Sequence, residues 1–196
     1  YFKMMIDIHY PGVKLLNTNS AFFEYNNKIH FTHHKLTRCL FYVIKHPYQI
    51  FSELKQEGLT AQAALNLLCN LENKPTMREV SKDGKKLLFP ENSSSWSTNV
   101  SSWTNENVQI SLRGLTIYHD DLYNKTEDKL IEIAAHLKES GLEVEINPLE
   151  ISKIAEQFKS NEKNKTPLEL SNKEKKLIDR DCGDIIEKYF SERTSN

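Results

Sequence analysis

Between residues 108 and 158 the apolar side chains change their spacing three times, and this succession restricts the fold more than any other feature. Val108 to Tyr118 alternates apolar and polar residues, the period of a half-buried strand. Thr126 is a suitable N-cap. Leu130, Ile131, Ala134 and Leu137 then fall on one helical face, and Gly141 supplies the stop. Leu142 to Ile146 alternates again as a strand. Pro148 opens a second helix with Ile151, Ile154, Ala155 and Phe158 inward. The order is β-α-β-α. After a charged, Asn-rich spacer at 159–170, residues 171–193 read as a terminal helix. Its stripe is Leu177, Ile178, Ile185, Ile186 and Phe190, weakened at Gly183.

The remainder of the chain has a different texture. Residues 5–72 are rich in aromatic and apolar groups. Phe22 to Tyr25 and Lys28 to Phe31 read as a hairpin about Asn26-Asn27, because Asn tolerates the left-handed backbone of a tight turn. Thr32 is placed to cap a helix with Leu36, Cys39, Leu40 and Val43 inward, stopped at His46-Pro47. A loop from Tyr48 to Gly58 follows. Thr60 then caps a helix with Ala64, Leu65, Leu68, Cys69 and Leu71 on its inner face. Residues 73–107 are polar and broken, with Asn73-Lys74-Pro75, Asp83-Gly84 and a Ser-rich run, and read as linker or loop. The expected class is α+β: a small hairpin-helix module at 5–72, a linker at 73–107, and an α/β region at 108–193 with a terminal helix.

Composition narrows the function classes. The 196 residues carry 26 basic and 27 acidic side chains, a net charge of −1, which offers no global attraction to nucleic acid or membrane. No apolar run approaches the roughly 20 residues that span a bilayer, so no transmembrane segment is expected. The start of the chain lacks an apolar h-region, and Tyr1-Phe2-Lys3-Met4 reads as a protease-site remnant followed by a native Met start. The three cysteines, Cys39, Cys69 and Cys182, are odd in number and far apart. They form neither a disulfide framework nor the close Cys pair of a structural zinc site. Buried thiols in a reducing cytoplasm are the expectation, with no cofactor and no metal.

Several groups bear on chemistry. His30, His33, His34 and His46 lie close in sequence, but the H-E-x-x-H motif of a helical metal pair is absent. Cys39 and Cys69 sit on apolar helical faces, where a thiol packs rather than reacts. His119-Asp120-Asp121 follows a strand, where α/β folds often place their sites; a His beside two carboxylates suits a general base or simply a capped, solvated turn. The glycines are too dispersed to cradle phosphate. Trp96 and Trp103 stand in the Ser-rich segment, either as anchors for a partner or tucked onto the core.

The order of elements in residues 5–72 resembles the U-box, the zinc-free relative of the RING domain in E3 ubiquitin ligases. Phe31 stands at the aromatic that ends the hairpin and Thr32 at the cap. Leu36 stands for the helical Ile, Cys39-Leu40 for the Trp-Leu pair, and Pro47 for the Pro of the second loop, with His46 in place of its Cys. Thr60 opens the last helix, and Pro11 with Leu15-Leu16 matches the first loop. The Asp-Pro-Val signature before the hairpin is replaced by Ser20-Ala21-Phe22. Divergent modules of this kind occur among effectors that intracellular bacteria inject into host cells, so the resemblance implies a host-cytosol setting. It further implies a ligase without covalent intermediate, docking a ubiquitin-charged E2 and favouring transfer to a substrate lysine. The implied E2 contacts are Ile8, Val13, Leu36, Cys39, Pro47 and Tyr48, with residues 108–193 binding a protein substrate or a host membrane protein and the histidines bracing the loops. Two other functions stay open on the residues themselves: an α/β enzyme with His119, Asp120 and Asp121 at its site, or a non-catalytic adaptor contacting its partner through Trp96 and Trp103.

Overall fold

A computed structural model describes residues 24–25, 28–29, 37–69, 76–82, 85–91, 95–144, 147–162 and 169–193. Among them the chain is mixed helix and strand, and mostly helical. It divides into two compact units, each assembled from separate stretches of sequence. The first takes Tyr1–Thr18, His33–Lys45 and Glu106–Thr166; the second takes Asn19–Thr32, His46–Asn105 and Pro167–Asn196. Residues 5–72 therefore contribute to both.

In the second unit, β1 (Glu24–Tyr25) and β2 (Lys28–Ile29) pair antiparallel about Asn26-Asn27, as the turn residues require. In the first unit, β3 (Leu40–Ile44) replaces the helix expected after Thr32. Its residues are aromatic, β-branched or leucine, types that suit a pleated surface. Leu40 and Val43 therefore do not share an inward helical face, and Val43 is exposed.

Helix α1 (Pro47–Gln56), in the second unit, occupies the stretch expected as a loop. His46-Pro47 starts a helix instead of stopping one. Proline at N1 needs no amide hydrogen, and the His46 Nδ1 accepts the Tyr48 N–H at 3.2 Å. Gly58, at φ +94°, ends the segment in a conformation that a side chain would oppose. Helix α2 (Ala61–Cys69) begins as expected, with the Thr60 hydroxyl accepting the Ala63 N–H and Ala64, Leu65 and Leu68 buried. Leu71 lies outside the described residues.

The linker expected at 73–107 holds regular structure. Strands β4 (Thr76–Lys82) and β5 (Lys85–Glu91) form an antiparallel ladder from Thr76↔Glu91 to Lys82↔Lys85. Helix α3 (Trp96–Trp103) is capped by the Ser95 hydroxyl, and buries Trp96, Val100 and Trp103 at i, i+4, i+7. Both tryptophans are thus core residues, because the serines and threonines around them occupy the other faces of a helix.

The first unit resumes at α4 (Glu106–Ser111), where a continuous strand from Val108 to Tyr118 was expected. Val108 and Leu112, four apart, are buried by the helical turn. The strand β6 spans only Gly114–Tyr118. Helices α5 (His119–Asn124), α6 (Thr126–Glu139) and α7 (Pro148–Glu162) follow. The α6 face is Leu130, Ile133, Ala134 and Leu137; Ile133 is fully buried, whereas Ile131, expected inward, is 45% exposed. Gly141, at φ +84°, closes α6: the Leu142 N–H donates to the Leu137 carbonyl, and the Gly141 N–H to that of Lys138. Leu142 and Val144 are buried on either side of exposed Glu143, but 142–144 form no strand. Residues 145 and 146 lie outside the described residues. Ile151, Ile154 and Ala155 of α7 complete the core, with Cys39, Phe41, Leu115 and Phe158 packed against it.

The terminal helix α8 (Asn172–Phe190) starts on a reciprocal capping box between Ser171 and Glu174, and runs unbroken through Gly183. It is the spine of the second unit, and α1, α2 and α3 all pack on it. Tyr48 donates to Asp179 at 2.5 Å, Lys55 pairs with Glu174 at 2.8 Å, and Thr104 shares a 2.6 Å hydrogen bond with Tyr189. No described helix is long and apolar enough to cross a membrane.

Candidate functional site

The two strands of the first unit run parallel, with Leu40 opposite Gly114, Val43 opposite Ile117 and Ile44 opposite Tyr118. The registration is fixed partly by Arg113, which turns the chain from α4 into β6 with φ +47°. That conformation is unfavourable for a side-chain-bearing residue, and three hydrogen bonds hold it. The Arg113 carbonyl accepts from the Leu40 N–H at 3.3 Å and lies 2.8 Å from the His136 Nε2, while its guanidinium donates to the Ser140 carbonyl.

Both strands end at the same level. Beyond Ile44 comes Lys45, and beyond Tyr118 comes His119, the first residue of α5. Adjacent strands lie roughly 4.8 Å apart, so a lysine and a histidine leave neighbouring strands at one edge. His119 is partly buried, its Nδ1 lies 3.9 Å from the Asp120 carboxylate, and its ring lies 6.5 Å from that of Phe158. Asp120 and Asp121 occupy the first turn of α5, where the partial positive charge of the exposed amides favours them. An imidazole, a carboxylate and an ammonium at the carboxyl edge of parallel strands can exchange a proton with a polar ligand and balance the charge that develops.

Of the six positions implied as E2 contacts, the described residues include Cys39, Pro47 and Tyr48. Ile8, Val13 and Leu36 lie outside them. Cys39 belongs to the first unit, half-buried against its core, and burial raises its thiol although the Ser140 side chain hydrogen-bonds it. Pro47 and Tyr48 belong to the second unit. Pro47 is buried. Burial and the hydrogen bond to Asp179 push the Tyr48 phenol up to about 12. Of the four clustered histidines, His46 caps α1 and packs its ring against Tyr48 and Phe190 at 4.6 and 4.8 Å. His30, His33 and His34 lie outside the described residues. Among the described residues no group of three His, Cys, Asp or Glu is placed to hold a metal.

Two features escaped the sequence. Lys45 joins His119 only through strand pairing across some seventy residues, and nothing local signals it. Cys69 and Cys182, which look like isolated core thiols, lie on helices that pack together in the second unit, and each is the chief influence on the other's thiol. No protein-family description, no curated protein and no solved structure matches the chain.

Proposed function

We propose that the first unit is a small α/β enzyme unit that binds a polar small molecule at the carboxyl ends of β3 and β6 and moves a proton on it. The observation that carries this is the strand register, which brings Lys45 and His119 to one edge. His119 takes and returns the proton. The Asp120 carboxylate lies 3.9 Å from the His119 Nδ1, and Lys45 offsets negative charge on the ligand. In α/β sheets ligands bind outside the carboxyl ends of parallel strands. The test is a small-molecule panel screened by thermal shift and then by the imidazole NMR signal of His119. A ligand is expected that raises the melting temperature and perturbs that signal, and that binds at least tenfold more weakly to His119→Ala and Lys45→Met. Hits that bind both variants as tightly as the wild type overturn the assignment.

A second function is favoured by a separate observation. The support for it is an antiparallel β1–β2 pair followed further along the chain by the Thr60-capped α2, two elements that the U-box resemblance implies. The strand at Leu40–Ile44 departs from that pattern, which places a helix there. On this second proposal the chain docks a ubiquitin-charged E2, in a host cytosol, chiefly through Ile8, Val13, Pro47 and Tyr48, and favours transfer to a protein substrate. Incubation with E1, an E2 panel, ubiquitin and ATP should yield ubiquitin chains, reduced severalfold or more by Ile8→Ala and Pro47→Ala. Absence of chains with every E2 removes it.

A further inference from the structure

We propose that Cys69 and Cys182 are a redox modification site, a pair that closes reversibly into a disulfide joining α2 to α8. Cys69 is the last residue of α2 and is half-buried. Cys182 lies in the middle of α8 and is 1% exposed. The two helices pack on each other, and each cysteine is the chief influence on the other's thiol. A disulfide needs its two Cβ atoms facing at close range, and the packing of α2 on α8 puts both cysteines on contacting helices.

Access and activation come from the surroundings. Cys182 lines an open groove of about 500 Å³ between α3 and α8, together with Ser97, Ser101, Arg180 and Asp181. A small oxidant can enter it. The Ser97 hydroxyl donates to the Asp181 carbonyl at 3.0 Å, which holds α3 beside the cysteine. The interaction between the two thiols holds Cys182 below the ordinary thiol value and Cys69 above it. Cys182 is thus the sulfur that gives up its proton, and the thiolate is the nucleophile. Cys39 stands apart in the first unit, its thiol raised by burial.

The chemistry balances with hydrogen peroxide as oxidant. The Cys182 thiolate attacks one peroxide oxygen; the S–O bond forms, the O–O bond breaks, and hydroxide leaves and becomes water on taking a proton. The Cys69 sulfur then attacks the sulfenic sulfur of Cys182; the S–S bond forms, the S–O bond breaks, and the departing oxygen leaves as water with the Cys69 proton. Two thiols lose two electrons, and peroxide is reduced to two waters.

The test treats the full chain with peroxide and counts thiols after denaturation. The wild type, with three cysteines, should fall from three thiols to one, with a peptide linking Cys69 to Cys182 and recovery by dithiothreitol. Cys39→Ser should fall from two to none. Cys69→Ser should instead accumulate a Cys182 sulfenic acid that a dione reagent traps. A wild-type count that stays at three, a disulfide that includes Cys39, or a link between two chains overturns the proposal. Circular dichroism of each variant, matching the wild type, separates lost chemistry from lost folding.

Discussion

Glu174 serves two partners at once. One oxygen of its carboxylate accepts from Lys55 at 2.8 Å, and the other from the backbone N–H and hydroxyl of Ser171 at the start of α8. The lysine, first, and the Ser171 backbone hold this carboxyl down to about 2, from an ordinary value of 4.5. An acid with a depressed folded value stabilises the protein above its unfolded value, and that contribution disappears as pH falls between the two. Glu174→Gln should therefore cost about 1 kcal/mol at pH 7, allowing for the partial exposure of the pair. The gap from the wild type should narrow steadily between pH 4.5 and pH 2. Thermal melts of both proteins across that range check it; a gap that does not narrow contradicts the assignment. The Ser171…Glu174 spacing is legible in sequence as a capping signature, but Lys55, more than a hundred residues away, is not.

Helices announced themselves better than strands. Thr60, Pro148 and Gly141 mark real ends, since capping chemistry is local. The inner face of α6 was nearly legible: Leu130, Ala134 and Leu137 were right, and the register error was Ile131 for Ile133. Ile133→Ala should cost about 3 kcal/mol through the cavity it leaves, while Ile131→Ala should stay within about 0.5 kcal/mol. Urea midpoints of the two variants measure the contrast; equal losses would mean that the helix is rotated. The segment Leu40–Ile44 was misread because a five-residue apolar run fits either period, and what decides it is a parallel partner far along the chain. At α3, composition misled: serine-rich sequence suggested loop, while Trp96, Val100 and Trp103 keep helical spacing.

At the scale of the whole molecule, the division by texture does not coincide with the two compact units. Each unit takes pieces from both ends of the chain. Neither hydropathy nor charge marks the passage from Lys45 to His46. The same interleaving explains what was legible of the sites. His119, Asp120 and Asp121 are consecutive, so they could be seen. Lys45 beside His119, and Cys69 beside Cys182, are made only by tertiary pairing. Closing the Cys69–Cys182 link would tie together a loop of roughly 110 residues, which limits the unfolded chain by up to ~5 kcal/mol in the entropic account.

The pairing of β3 with β6 also sets an order of events during synthesis. β3 leaves the ribosome first, and its partner follows only after some seventy more residues have been added. At about 5–20 residues per second, that is a wait of several seconds. Throughout it, Leu40–Ile44 is an apolar strand with neither edge satisfied, the kind of segment that seeks foreign partners. A nascent chain halted before Gly114 therefore carries an unpaired, aggregation-prone strand, and the cell must shield it until translation passes Tyr118.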